Sequence, residues 1–199
     1  MTYSLVCAVS AGDIDTTHLR IEGALRNIGK EKDSIFLLNG FNTNNEHDVD
    51  FQGQNWRDDF RLRDIYLELE KFNPFVVYAK NTVENGTALR RVKNYSGYDL
   101  SQRNALTVTS ETHLRRLKRI FWHVFPKEEY DFLNFEKVRE PNKKLKIVRT
   151  LSECLEFPVM EILLAGIKRG DNNINKIYEE RRYSGKIGKT LSSLKSIIL

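Results

Sequence analysis

Apolar residues along this chain fall into two patterns, short unbroken runs and stripes at helical spacing. The runs are residues 3–10 (YSLVCAVS), 34–39 (SIFLLN), 75–80 (FVVYAK) and 105–110 (ALTVTS). They are short and rich in apolar residues, and none alternates with charged ones, which predicts strands buried on both faces of a sheet. Between the runs lie helical stripes. Asp15 and Thr16 can cap a helix carrying Ile21, Ala24, Leu25 and Ile28, with Gly29 as its stop. A second helix runs from Trp56 to Phe72 with Leu62, Ile65, Tyr66 and Leu69 inward, and Pro74 follows it. Gly86-Thr87 opens a third through ALRRVKNY, and Ser110 caps a fourth that reaches Pro126. That fourth helix turns Leu114, Leu117, Ile120, Phe121 and Val124 to the sheet and leaves Arg115, Arg116, Lys118 and Arg119 in water. The polar stretch from Phe41 to Asn55 reads as a long connecting loop.

Strands alternating with helices predict an α/β fold with a parallel sheet covered on both faces. The pattern places a Rossmann-like α/β domain at 1–126, and past Pro126 the signal becomes helical throughout. A basic helical domain is therefore expected at 127–199, with its boundary between Pro126 and Pro141 and with residues 143–149 readable as helix or strand. Its last part suggests three helices: Pro158 to Lys168 closed by Gly170-Asp171, Asn173 to Tyr183, and a third with Ile187, Leu191, Leu194 and Ile198 inward.

Charge sharpens this division. Residues 1–100 hold 12 Lys/Arg against 15 Asp/Glu, and residues 101–199 hold 20 against 12. The three terminal helices are similar to a helix-turn-helix unit, whose third helix lies in the DNA major groove. Lys186, Lys189 and Lys195 would then face DNA, with Arg181 and Arg182 on phosphates, and affinity would fall with salt. Cys7 and Cys154 are too few and too far apart for a disulfide framework or a zinc site, and the four histidines lack ligand spacing. His47, Asp48 and Asp50 crowd the long loop, where solvation is the simpler account, so no metal is assigned. No apolar run is long enough to span a membrane, and no basic n-region precedes the first run, which makes the cytoplasm the expected location.

Candidate ligand chemistry gathers at the carboxyl ends of the strands, where open parallel sheets bind their ligands. Those ends carry Ser10, Gly12 and Asp13, then Asn39 and Gly40, then Asn81, Gly86 and Thr87. Gly86-Thr87 at a helix start would offer free N–H groups to a phosphate or ribose.

From Arg63 to Tyr95 the order is Arg-Asp-Ile, a helix, FVVYAK, a polar loop and Gly-Thr-Ala. It resembles the corresponding part of nucleoside 2-deoxyribosyltransferase-like domains over residues 1–110. The resemblance implies a Rossmann-like fold that handles nucleosides and nucleotides. That family carries a nucleophilic glutamate one helical turn after this glycine, and here the position is Arg90, followed by Arg91. A guanidinium cannot act as that nucleophile, which favours a binder over a glycosyl-transferring enzyme. Asp64 and Glu84 are the nearest spare carboxylates, and no catalytic set or cofactor is assigned.

The sequence therefore suggests a nucleic-acid-associated regulator that responds to a nucleotide-like ligand. The alternatives are a nucleoside- or nucleotide-processing enzyme, drawing on Asp13, Asp64 or Glu84, and a non-catalytic protein–protein or assembly module.

Overall fold

The computed structural model describes residues 3–11, 13–29, 34–40, 42–45, 48–51, 54–55, 67–69, 71–72, 74–77, 79, 81–96 and 104–184. Its strands are β1 (Leu5–Val9), β2 (Ile35–Asn39), β3 (Asn42–Asn45), β4 (Asp48–Phe51), β5 (Gln54–Asn55), β6 (Phe75–Val77), β7 (Ala105–Ser110) and β8 (Leu133–Val138). The helices are α1 (Ile14–Asn27), α2 (Thr82–Ser96), α3 (Leu114–Val124), α4 (Lys127–Tyr130), α5 (Lys143–Leu164) and α6 (Ile174–Glu179), the last continued by a π-helical turn, Glu180–Ser184.

Five strands form one sheet in the order β6-β2-β1-β7-β8, and every pairing is parallel. The α/β class expected from the apolar runs is what the chain adopts. Parallel neighbours need crossovers that cover the sheet, so its middle strands must be apolar on both sides. Accordingly all of Leu5–Val9 and all of Ala105–Ser110 are buried. Successive side chains divide between two cores, as a period of two requires. Val6, Ala8, Phe36, Leu38, Leu106 and Val108 pack with Ile21, Ala24 and Ile28 of α1. On the other face Leu5, Cys7, Val9 and Leu37 meet α2, α3 and the end of α5 through Leu89, Val92, Phe121, Val124 and Leu163.

Several expectations need correction. Residues 133–138 were expected to be helical, yet they form the fifth strand, paired with β7 from Ala105↔Leu133 to Ser110↔Val138. The strand is an edge one, and charged residues at Glu136 and Lys137 dilute its apolar pattern. The sheet therefore draws on residues from both sides of the expected boundary at 126. Residues 42–55 hold a three-stranded antiparallel meander, β3-β4-β5, where a plain loop was expected. Residues 143–149 are helical and open a single 22-residue helix, α5, that contains Pro158. Proline favours the first turn of a helix, so the sequence suggested a start where the helix merely continues. The Trp56–Tyr66 part of the expected second helix lies outside the described residues, and residues 67–69 are helical.

Phe121 is fully buried at the α2–α3 contact, and its ring lies 5.5 Å from that of Phe125 and 5.9 Å from that of Phe135. Phe121→Ala is expected to cost about 3–5 kcal/mol of stability in urea unfolding, whereas Lys168→Ala, at an exposed position, should change it by less than about 1 kcal/mol.

Candidate functional site

β1 and β7 stay in register from Leu5↔Ala105 to Ala8↔Val108, and no partner is paired with Val9 or Ser10 on that side. At this place the connections leave in opposite directions, β1 towards β2 and β7 towards β8, which makes it the switch point of the sheet. Arg20 of α1 is wedged into the opening. Its Nη1 donates to Val9 O (2.9 Å) and Ser10 O (2.6 Å), and its Nη2 donates to Ser110 Oγ (2.7 Å). Burial, with the charge of Arg149 adding to it, pushes the Arg20 guanidinium down to about 9, against the pull of Glu140 and Asp13. It stays charged at pH 7. Among the described residues no carboxylate lies within ion-pair distance of it.

On the β7 side, α5 lies along the edge and supplies charge. Arg149 reaches Asp13, Glu140 and Thr16, and Thr112 Oγ1 donates to Glu140. His113 Nδ1 lies 3.0 Å from Glu153 Oε1 and 3.1 Å from Arg116 Nη2. Arg116 also pairs with Glu153 (2.9 Å) and Glu156, and Arg119 holds Glu161 through two bonds of 2.7 and 3.0 Å. The arginines of α3, expected in water, instead form an ionic seam with α5, and Arg115 stacks on the Phe157 ring at 4.5 Å. Burial would raise the Glu153 carboxyl, but the His113 hydrogen bond and the Arg116 charge more than reverse this and hold it low. Burial drives the His113 imidazole down to about 4, so it is neutral at pH 7.

On the other side of β1, the ends of β1 and β2 meet the start of α2. Ser10 Oγ donates to Gly40 O (2.9 Å), and Asn39 Nδ2 donates to Asn85 O (2.8 Å). Gly40 has φ +88°, and a Cβ there would come within 2.5 Å of Ser10 Oγ and 2.9 Å of Asn85 Oδ1. Only glycine fits this turn without strain. Asn39 and Asn85 are buried, and among the described residues neither side-chain Oδ1 has a hydrogen-bond partner. Two orphaned carbonyl oxygens in one polar corner are unusual, because each costs about 1–3 kcal/mol of desolvation.

The strand-end residues chosen from sequence therefore separate. Ser10, Asn39 and Gly40 come together, and Asn81 stands beside them as the cap of α2, its Oδ1 accepting from Glu84 N (2.9 Å). Asp13 belongs to the other half, where it caps α1 through Thr16 N (2.8 Å) and pairs with Arg149. That cap was expected from Asp15 or Thr16. Gly86 and Thr87 do not open a helix. Since α2 begins at Thr82, they occupy its second turn; Thr87 Oγ1 donates to Glu84 O, and Gly86 lets α2 approach Phe121 and Val124. Gly12, Asp64 and His47 lie outside the described residues. Sequence reasoning missed Asn85, Arg20, His113 and Glu153. Asn81-x-x-Glu84 is a capping signature that marks the true start of α2 and would have brought Asn85 to the edge.

The other candidates have structural partners. Arg90 donates to Gly170 O (2.9 Å) and lies 3.5 Å from Glu129. Arg181 donates to Leu163 O and Ala165 O (2.8 Å each), capping the end of α5, and Arg182 donates to Tyr178 Oη (2.9 Å). Lys186, Lys189 and Lys195 lie outside the described residues. Cys7, pushed up to about 12 by burial, is a thiol and no nucleophile. Among the described residues no group of three or more His, Cys, Asp or Glu could hold a metal, and no helix is long and apolar enough to cross a membrane.

Because His113 titrates at about 4 when folded and near 6.5 in a free chain, the unfolded state takes up a proton first as pH falls. Stability should therefore decline between about pH 6.5 and 4, by up to about 3 kcal/mol from this group. Thermal melts across that range are expected to show a shallower decline in His113→Gln than in wild type; parallel curves would remove His113 as the cause.

Compared with known family models, curated proteins and solved structures, the chain matches none of them.

Proposed function

We propose that this protein binds a small, polar, nucleoside-like ligand at the carboxyl edge of its sheet, in the corner formed by Ser10, Asn39, Gly40, Asn81 and Asn85. The observation that carries this reading is the pair of orphaned acceptors, Asn39 Oδ1 and Asn85 Oδ1, beside a glycine turn with no room for a side chain. Acceptors of that kind call for a hydroxyl or amino donor, and sugar hydroxyls and base amino groups supply both. Arg20 places a buried positive charge across β1 from this corner; its Nη groups are held by Val9 O, Ser10 O and Ser110 Oγ, so it favours an anionic substituent through its field and not by contact.

A regulator that also contacts DNA draws no support from Arg181 or Arg182, whose guanidinium groups are engaged within the chain. An enzymatic reading has one specific observation in its favour. His113 is held by the Glu153 carboxylate beside the sheet edge, a pairing used to orient a catalytic imidazole, although burial makes its ring a weak base at pH 7.

The test is a calorimetric titration of nucleosides and nucleoside mono-, di- and triphosphates against wild type and Asn85→Leu. Removing an unsatisfied buried oxygen should leave stability unchanged or raised, while binding falls by about tenfold or more. No heat from any of these compounds at millimolar concentration, or equal affinity in Asn85→Leu, would sink the proposal.

A further inference from the structure

The inner face of α5 is committed to α3, but its outer face has no cover among the described residues. Ile147, Val148, Leu151, Leu155 and Ile162 are 62, 44, 61, 50 and 55% exposed. Val148, Leu151, Leu155, Pro158 and Ile162 follow each other at spacings of three and four, the seam of a two-helix coil, with Ile147 and Cys154 flanking it. From Val148 to Ile162 the seam runs roughly 21 Å along the helix.

From this face we infer that the protein forms a homodimer, with the α5 helices of two copies packed antiparallel along this seam. Three properties select a second copy of the chain as the occupant. The acidic residues Glu153, Glu156 and Glu161 are all held by His113, Arg116 and Arg119, so the seam presents no carboxylate to a basic partner. It is equally without cations along its length, apart from exposed Lys143 and Lys144 at its amino end. Antiparallel packing places those lysines near the carboxyl end of the other copy's α5, where the helix dipole is negative, and sets the two dipoles in opposition.

Area points the same way. The five exposed side chains leave roughly 500 Å² of apolar surface per copy, so pairing buries about 1,000 Å² before any polar rim is added, the lower bound for a specific interface. A patch of this size is already at the upper end of what monomers tolerate in water. A two-fold axis near residue 153 makes the seam complementary to itself, with Leu151 of each copy against Leu155 of the other, and brings the two Cys154 side chains to the same face of the helix pair.

The experiment is sedimentation equilibrium on the full chain, comparing wild type with Leu151→Glu/Leu155→Glu. Both positions are exposed, so the variant should stay folded, with a far-UV circular dichroism spectrum like that of wild type and a melting temperature that no longer rises with protein concentration. Wild type is expected to be dimeric, and the double variant at least about a hundredfold weaker in association, because four carboxylates then face one another across the axis. Mild oxidation should trap a disulfide dimer in wild type and none in Cys154→Ser, since Cys7 is fully buried.

A wild type monomeric to ~100 µM would overturn the inference. So would a dimer that the double variant leaves intact. A monomer that floats with phosphatidylcholine/phosphatidylserine vesicles would assign the seam to a membrane surface, and one whose α5 amides lose protection on truncation after Ser184 would assign it to the chain's own tail.

Discussion

β1 is hydrogen-bonded on both edges by parallel neighbours, β2 and β7, and covered by helices on both faces. A strand so placed must be apolar throughout, which is why Leu5–Val9 carries no polar side chain. It must also release its polar connection in one direction only, beyond its carboxyl end. There the strand loses its partner on the β7 side, and the freed carbonyls of Val9 and Ser10 have to be satisfied by something other than a ladder. Arg20 does this, at the cost of burying a cation whose charge the neighbouring Glu140 and Asp13 offset. The polar corner at Gly40 and the ionic seam of α5 stand on either side of this one strand end.

The seam between α3 and α5 shows a second consequence. Arginine side chains on a helix that packs on a sheet ordinarily extend into water. Here α5 returns across that helix, and Arg116 and Arg119 find carboxylates at Glu153, Glu156 and Glu161. Largely buried pairs such as those of Arg116 with Glu153 and Glu156 recover their desolvation only when nearly every bond is made, so they contribute position more than stability. They fix the rotation of α5 about its axis. Once that rotation is set, the apolar residues at Leu151 and Leu155 have no way to turn inward, and they face solvent or another chain.

Much of the sheet was legible because its strands are short runs of apolar and small β-forming residues: 35–39 and 105–110 fall within one residue of where the sequence puts them. β8 was not, since an edge strand shares its pattern with surface helix. Length and caps decided α5, and Pro158 hid its continuity by mimicking a start. Among site residues, Ser10, Asn39 and Gly40 could be chosen because strand ends have a sequence signature. Arg20 and His113 could not, because what makes them special is burial and partners distant in sequence: Ser110 for one, Glu153 for the other. The basic charge of the second half was read correctly in amount, but charge counts say nothing of pairing, and Arg116, Arg119 and Arg181 are spent inside the chain.

The central claim, that ligand chemistry lies at the carboxyl ends of β1 and β2, is tested most directly by amide hydrogen exchange with and without a saturating nucleoside or nucleotide. Slowed exchange is expected at Ser10–Ala11, at Gly40 and across Asn81–Asn85, with the β8 edge unaffected. Protection confined to α6 and the following π-helical turn, or none anywhere, would contradict it.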